Sequence, residues 1–193
     1  MAASVVEILS SALVELGEDR ITSADQDTER ARIASEVYET ERDALLEEHP
    51  WKFATTRAEL ARLAEVPAFG FAFAFALPTD CLHVLDTWPE THCRVEGGRL
   101  LADVPAMAVR FVRRVTGPTA MPPTFRAALS ARIAAKVAKK ITGSSAEKER
   151  MLALYADRLK TAKSRDAQGG GAPEPLDRGP FGPNRFIRAR RGD

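Results

Sequence analysis

Four residues with metal-ligand chemistry fall close together in the middle of this sequence: Cys81, His83, His92 and Cys93. On a strand, Cys81 and His83 would share one face, whereas the adjacent His92 and Cys93 would point to opposite faces. The four therefore do not converge on one ion, and the turn-borne Cys-x₂₋₄-Cys pairs of structural zinc sites are absent from the sequence. The expectation is a buried cysteine and a surface histidine. Asp80, Cys81 and His83 lie too close along one segment to act as a nucleophile–base–acid set, and there is no Gly-x-Ser-x-Gly elbow. The run Gly169-Gly-Gly171 lacks the lysine and the following helix of a phosphate-binding loop. Carboxylate pairs are plentiful only in one highly charged helical stretch, where solvation accounts for them. The terminal Arg191-Gly-Asp193 is a chance tripeptide. No enzyme, no cofactor and no metal is expected.

What remains is charge, and it is segregated. The stretch from Glu15 to Glu48 is strongly acidic and includes Glu36, Glu39, Glu41 and Asp43. Between Asp103 and Glu147 there is not one acid, while Arg110, Arg113, Arg114, Arg126, Arg132, Lys136, Lys139 and Lys140 all fall there. One reading is that these faces neutralise each other inside a single fold. The other joins an acidic face (Glu36, Glu39, Asp43) and a basic face (Arg110, Arg113, Arg132, Lys136, Lys139, Lys140) between neighbouring subunits, where complementary charge sets register. The formal net charge of +1 gives no global attraction to nucleic acid, so DNA contact should be weak and non-specific.

The elements that carry these charges are set by periodicity. Val5, Ile8, Leu9, Ala12, Leu13 and Leu16 form a helical stripe that ends at Gly17. Ser23-Ala-Asp-Gln26 is a capping-box pattern, predicting a long second helix from there to the stop at Pro50. Phe71, Phe73, Phe75 and Leu77 alternate with small residues, which predicts a strand. Leu82 to Trp88 and Val109 to Val115 read as strands too, and Arg94-Val-Glu-Gly97-Gly98-Arg-Leu-Leu101 reads as a hairpin. After Pro122-Pro123, apolar residues recur every four positions from Phe125 to Ile141, with alanines that permit close helix approach. Gly143 ends that helix, and Ser144-Ser-Ala-Glu147 caps a last one carrying Met151, Leu154, Tyr155, Leu159 and Ala162 toward the core.

The expected fold is α+β and mainly α: a bundle of about four helices, a small inserted antiparallel β-sheet and an extended C-terminal arm. The divisions are 1–66 for an N-terminal helical hairpin with its adjoining segment, 67–118 for the β-rich insertion, 119–168 for a second helical pair, and 169–193 for the arm. In the arm, Pro173, Pro175, Pro180 and Pro183 favour extension. Phe181, Phe186 and Ile187 are mixed with Arg185, Arg188, Arg190 and Arg191, a pattern suited to docking on a partner or a neighbouring subunit through apolar pockets and acidic groups. Two cysteines fit a reducing compartment. The first residues do not read as a secretory signal. The apolar run 69–77 is far short of the ~20 residues that span a bilayer, so no membrane partner is expected.

The order of motifs resembles a known family. Leu16-Gly17 closes the first helix, and Ala31-Arg32, Tyr38 and Arg42-Asp43 lie in the second. Pro50-Trp51-Lys-Phe53-Ala54, Leu77-Pro78-Thr-Asp80, Val95-Glu-Gly97 and the alanine-rich helix from Phe125 come next. Over roughly Val5 to Ala167 this succession resembles the tail tubular protein A family of short-tailed phages, whose relatives include tail accessory factors and the head–tail adaptors of gene transfer agents. The resemblance implies a structural virion protein that forms a ring, usually twelve-fold, beneath the portal. It implies a link to the next tail component (a stopper, nozzle or tail tube protein), a channel through which DNA passes, and no cofactor. It places the protein at the head–tail junction, and in the bacterial host cytoplasm during assembly. A non-specific DNA-binding or other oligomeric interaction protein is the alternative.

Overall fold

A computed structural model describes residues 4–23, 26 and 28–169. Ser4 opens the first helix, α1 (Val5–Glu15), by accepting a hydrogen bond from the Glu7 N–H. Gly17, at φ +80°, carries the chain out of it. The second helix begins later than the Ser23–Gln26 pattern predicts: α2 runs Glu29–Glu47 and its cap is Thr28, whose side chain accepts from Ala31 N–H. Gln26 instead turns its side-chain oxygen back to the Thr22 N–H at 2.9 Å. The buried Ser10 hydroxyl donates to the Ile21 carbonyl at 2.8 Å and accepts from its N–H at 3.1 Å, fixing the connection between α1 and α2.

The β part differs from a single inserted sheet. Six strands, β1 (Thr55–Leu60), β2 (Phe73–Ala76), β3 (Cys81–Trp88), β4 (Cys93–Glu96), β5 (Arg99–Ala102) and β6 (Met107–Arg113), form two three-stranded antiparallel sheets. One sheet is ordered β1-β6-β3 and the other β2-β5-β4. β1 lies before residue 67 and carries Thr-Thr-Arg-Ala-Glu-Leu, an edge sequence without apolar alternation. The hairpin between β4 and β5 turns on Gly97 and Gly98, both at positive φ, as a two-residue turn of this kind demands.

A 3₁₀ turn at Pro118–Ala120 leads into α3 (Pro123–Thr142). Gly143, at φ +71°, closes α3, and the Ser144 side chain caps α4 (Ser145–Gln168). Leu9, Leu13, Leu45, Leu46, Phe125, Leu129, Ile133 and Met151 are all fully buried, so the four helices share one core.

β6 couples that core to the β part. Met107, Val109 and Phe111 project into a second apolar cluster with Phe75 and Leu100 from the other sheet. Val112, on the opposite face, joins the helical core, as do Leu82 and Leu85 of β3. The Arg113 N–H donates to the Ala54 carbonyl and the Arg114 N–H to the Asp80 carbonyl, which ties this end of the sheet to the bundle.

Candidate functional site

Part of the segregated charge closes on itself inside the chain. α2 runs alongside α3, and this brings the Glu41 carboxylate, 7% exposed, against two cations. Arg132 Nε donates to it at 2.7 Å and Lys136 Nζ lies 3.3 Å away. Arg132 also reaches Glu48 at 2.9 Å and the Tyr155 hydroxyl of α4 at 2.7 Å. Tyr155 donates to Glu48 at 2.6 Å, and Lys163 stands 3.4 Å from the same carboxylate. Two acids, two lysines, one arginine and one tyrosine thus join three helices.

The network has a pH signature. Burial, with the Glu48 carboxylate beside it, pushes the Tyr155 hydroxyl up to about 12. Burial pushes Glu48 up as well, but the Tyr155 hydrogen bond and the charges of Lys163 and Arg132 outweigh it and hold the carboxyl below its ordinary value. The Tyr155 proton is held more tightly in the folded state, so its stabilisation is complete below pH 10 and is lost as pH rises to about 12. Glu48 has the opposite sign, stabilising above its ordinary value near 4.5 and losing that contribution as pH falls. Urea unfolding from pH 8 to 12 is expected to show a decline that becomes shallower in Tyr155→Phe. An unchanged slope would remove Tyr155 as its source.

The acidic face divides. Glu36 and Glu39 are exposed and make no ion pair among the described residues. Asp43 accepts from the buried Arg42 at 2.8 Å and from Arg114 at 2.8 Å, so it links α2 to the segment after β6. The basic face divides in the same way. Arg132 points into the helix network, Lys136 toward Glu41, and Arg110 pairs with Asp86 across β6 and β3. Arg113, Lys139 and Lys140 are exposed and unpaired among the described residues. The six bases therefore do not form one outward patch. Residues 181–191 of the arm lie outside the described residues.

Cys81 and His83 do not share a face. A register shift in β3 falls between them, so Cys81 packs with the β cluster while His83 is exposed. Burial, with Asp80 adding to it, pushes the Cys81 thiol up, which disfavours the thiolate that metal binding and nucleophilic attack require. His92 stacks on Phe71, with ring centroids 5.2 Å apart. Among the described residues no group of three or more His, Cys, Asp or Glu could hold a metal ion, and no helix is long and apolar enough to cross a membrane.

A cleft of about 350 Å³ opens between α1, α3 and α4, lined by Glu7, Ser11, Glu15, Arg126, Ser130 and Arg158 among others. Its polar groups are mostly engaged with the protein itself. Arg158 pairs with Glu15, Arg126 donates to the carbonyls of Pro118 and Met121 at 3.3 Å, and Ser130 donates to the Ala127 carbonyl at 3.0 Å.

Sequence periodicity turns Tyr155 inward, but its partner Glu48 lies 107 residues away. The one available signal is chemical, since an inward tyrosine hydroxyl needs an acceptor. No family model matches this chain, and no curated protein matches it significantly.

Proposed function

We propose that this chain is a structural virion protein, a head-to-tail adaptor that forms a ring under a portal and passes DNA through its centre. The observation that carries the reading is the order of motifs together with the places they occupy. Leu16-Gly17 ends α1. Pro50-Trp51-Lys-Phe53-Ala54 is the joint between α2 and β1, and Leu77-Pro78-Thr-Asp80 links the two sheets. Val95-Glu-Gly97 enters the hairpin turn, and Phe125 opens the alanine-rich α3. These five motifs fall at or beside joints of the chain, while Ala31-Arg32, Tyr38 and Arg42-Asp43 lie within α2, and it is their order that supports the reading.

In this reading the partners are the portal, the next tail component and identical neighbours, usually twelve in all, and the protein resides at the head–tail junction. The subunits meet head to tail in a contact that closes by rotation. Many arms acting together hold the ring although each alone binds modestly. Purified portal particles incubated with the chain should recruit it into rings visible by electron microscopy. Portals that stay bare at saturating protein would overturn the reading. Steep, salt-dependent shifting of duplex DNA by the isolated chain would favour the DNA-binding alternative instead.

Glu36 and Glu39, unpaired and exposed, are the part of the acidic face free to line a channel, where like charge keeps DNA from sticking. Glu36→Lys with Glu39→Lys should leave folding intact and slow DNA ejection from assembled particles several-fold. Ejection at the parental rate would mean that this face does not see DNA. Asp43 is excluded from that test because its reversal would also break the contacts to Arg42 and Arg114.

A further inference from the structure

Three loops meet at the end of the β part that faces away from the helices. Residues 61–72 join β1 to β2, residues 89–92 join β3 to β4, and residues 103–106 join β5 to β6. β6 sets the direction: Val112 sits in the helical core, while at the other end Met107 pairs with Leu60 and Ala108 with Trp88. The loops are fastened to one another and to the sheet. Phe71 stacks on His92 and the Ala72 N–H donates to Asp103 at 2.8 Å, while Glu65 pairs with Arg99 of β5 at 2.7 Å.

On this built tip three large apolar side chains face outward: Phe69 is 88% exposed, Val66 67% and Trp88 67%. Apolar groups clustered on an ordered surface mark a contact site. Its loops hold Glu65, Glu90 and Asp103 against Arg62, and with Glu65 already paired to Arg99 the tip keeps only a slight acidic excess. What covers it should be chiefly apolar, with some basic groups.

We propose that in the free subunit the tip is covered by the same chain's C-terminal segment, residues 181–191. That segment offers Phe181, Phe186 and Ile187 for the apolar groups and Arg185, Arg188, Arg190 and Arg191 for the acids. The place where α4 ends supports this. Lys52 Nζ donates to the Ala167 carbonyl at 2.8 Å and the Lys52 N–H donates to Asp166 at 3.1 Å, so the helix stops beside the start of β1. β1 runs from there toward the tip over about 20 Å, and residues 170–181, fully extended, reach about 40 Å. The tether gives the segment an effective concentration of order millimolar, so its own tip outcompetes another copy's in dilute solution. This inference does not depend on the adaptor reading.

The two tryptophans make it testable. Trp51 is 1% exposed and Trp88 67%, so acrylamide quenching of fluorescence reads Trp88, and Trp88→Phe isolates the Trp51 background. In the full-length chain quenching should be weak and independent of protein concentration. It should rise several-fold in the chain ending at Gly169, and equally in the full-length Phe181→Ser, Phe186→Ser, Ile187→Ser variant, which alters nothing in the described body. Equal quenching in the parent and the triple variant would overturn the proposal. So would protection that appears only as concentration is raised, because a second copy would then supply the cover.

Discussion

Trp51→Ala is expected to remove about 3–5 kcal/mol of folding stability, a large part of the roughly 5–15 kcal/mol that holds a typical domain. Trp51 lies where α2 has ended and β1 has yet to begin. Its indole N–H donates to the Leu45 carbonyl at 2.9 Å, satisfying an acceptor in the last turn of α2. Its ring stands edge-on to Phe125 at 5.0 Å and to His49 at 4.8 Å, with Phe53 at 6.2 Å. Phe125 in turn opens α3, so one side chain joins the end of α2, the start of the β part and the start of α3. Alanine would leave a cavity among rings that are themselves pinned, and relaxation would fill little of it. Trp51→Phe keeps most of the volume but leaves the Leu45 carbonyl without its donor, for an expected loss of about 1–2 kcal/mol. Urea unfolding followed by far-UV circular dichroism reads both. A loss below about 1 kcal/mol for the alanine variant would show that the joint is held by something else.

This joint also shows which parts of the fold are legible in the sequence. α1, α3 and α4 announce themselves because each buries one stripe and ends in a local cap: Gly143 at positive φ and the Ser144 cap need only neighbouring residues. The Gly97-Gly98 hairpin is legible for the same reason. β1 is not, because an edge strand carrying Thr, Arg and Glu owes its conformation to the partner β6. The start of α2 is misplaced because Gln26, which looks like the second half of a capping box, bonds Thr22 and leaves Thr28 to cap. The face shared by Cys81 and His83 fails because a bulge is a property of the strand pair. Segregation of charge is plain in the sequence, but which acid meets which base depends on helix packing, and Arg132 is the clearest case.

Arg132 is by sequence a candidate for a face between subunits, yet its surroundings point to an internal role with a measurable consequence. Arg132→Ala leaves Glu41 nearly buried, with only the exposed Lys136 at 3.3 Å to balance it. Glu48 keeps Tyr155 and Lys163. Removing one member of a fully buried pair costs about 3–5 kcal/mol, and because Arg132 is partly solvated the expected loss is about 2–3 kcal/mol. Arg132→Met with Glu41→Leu removes both charges and keeps the volume, so most of that loss should be recovered. An arginine acting between subunits would give a different pattern, since the isolated chain would unfold as before and only ring formation on portals would fall. Lys139 and Lys140, which make no ion pair among the described residues, are expected to show that second pattern. Measuring Arg132→Ala beside Lys139→Ala with Lys140→Ala, for both unfolding and portal recruitment, therefore separates the charge that holds the subunit together from the charge left for its neighbours.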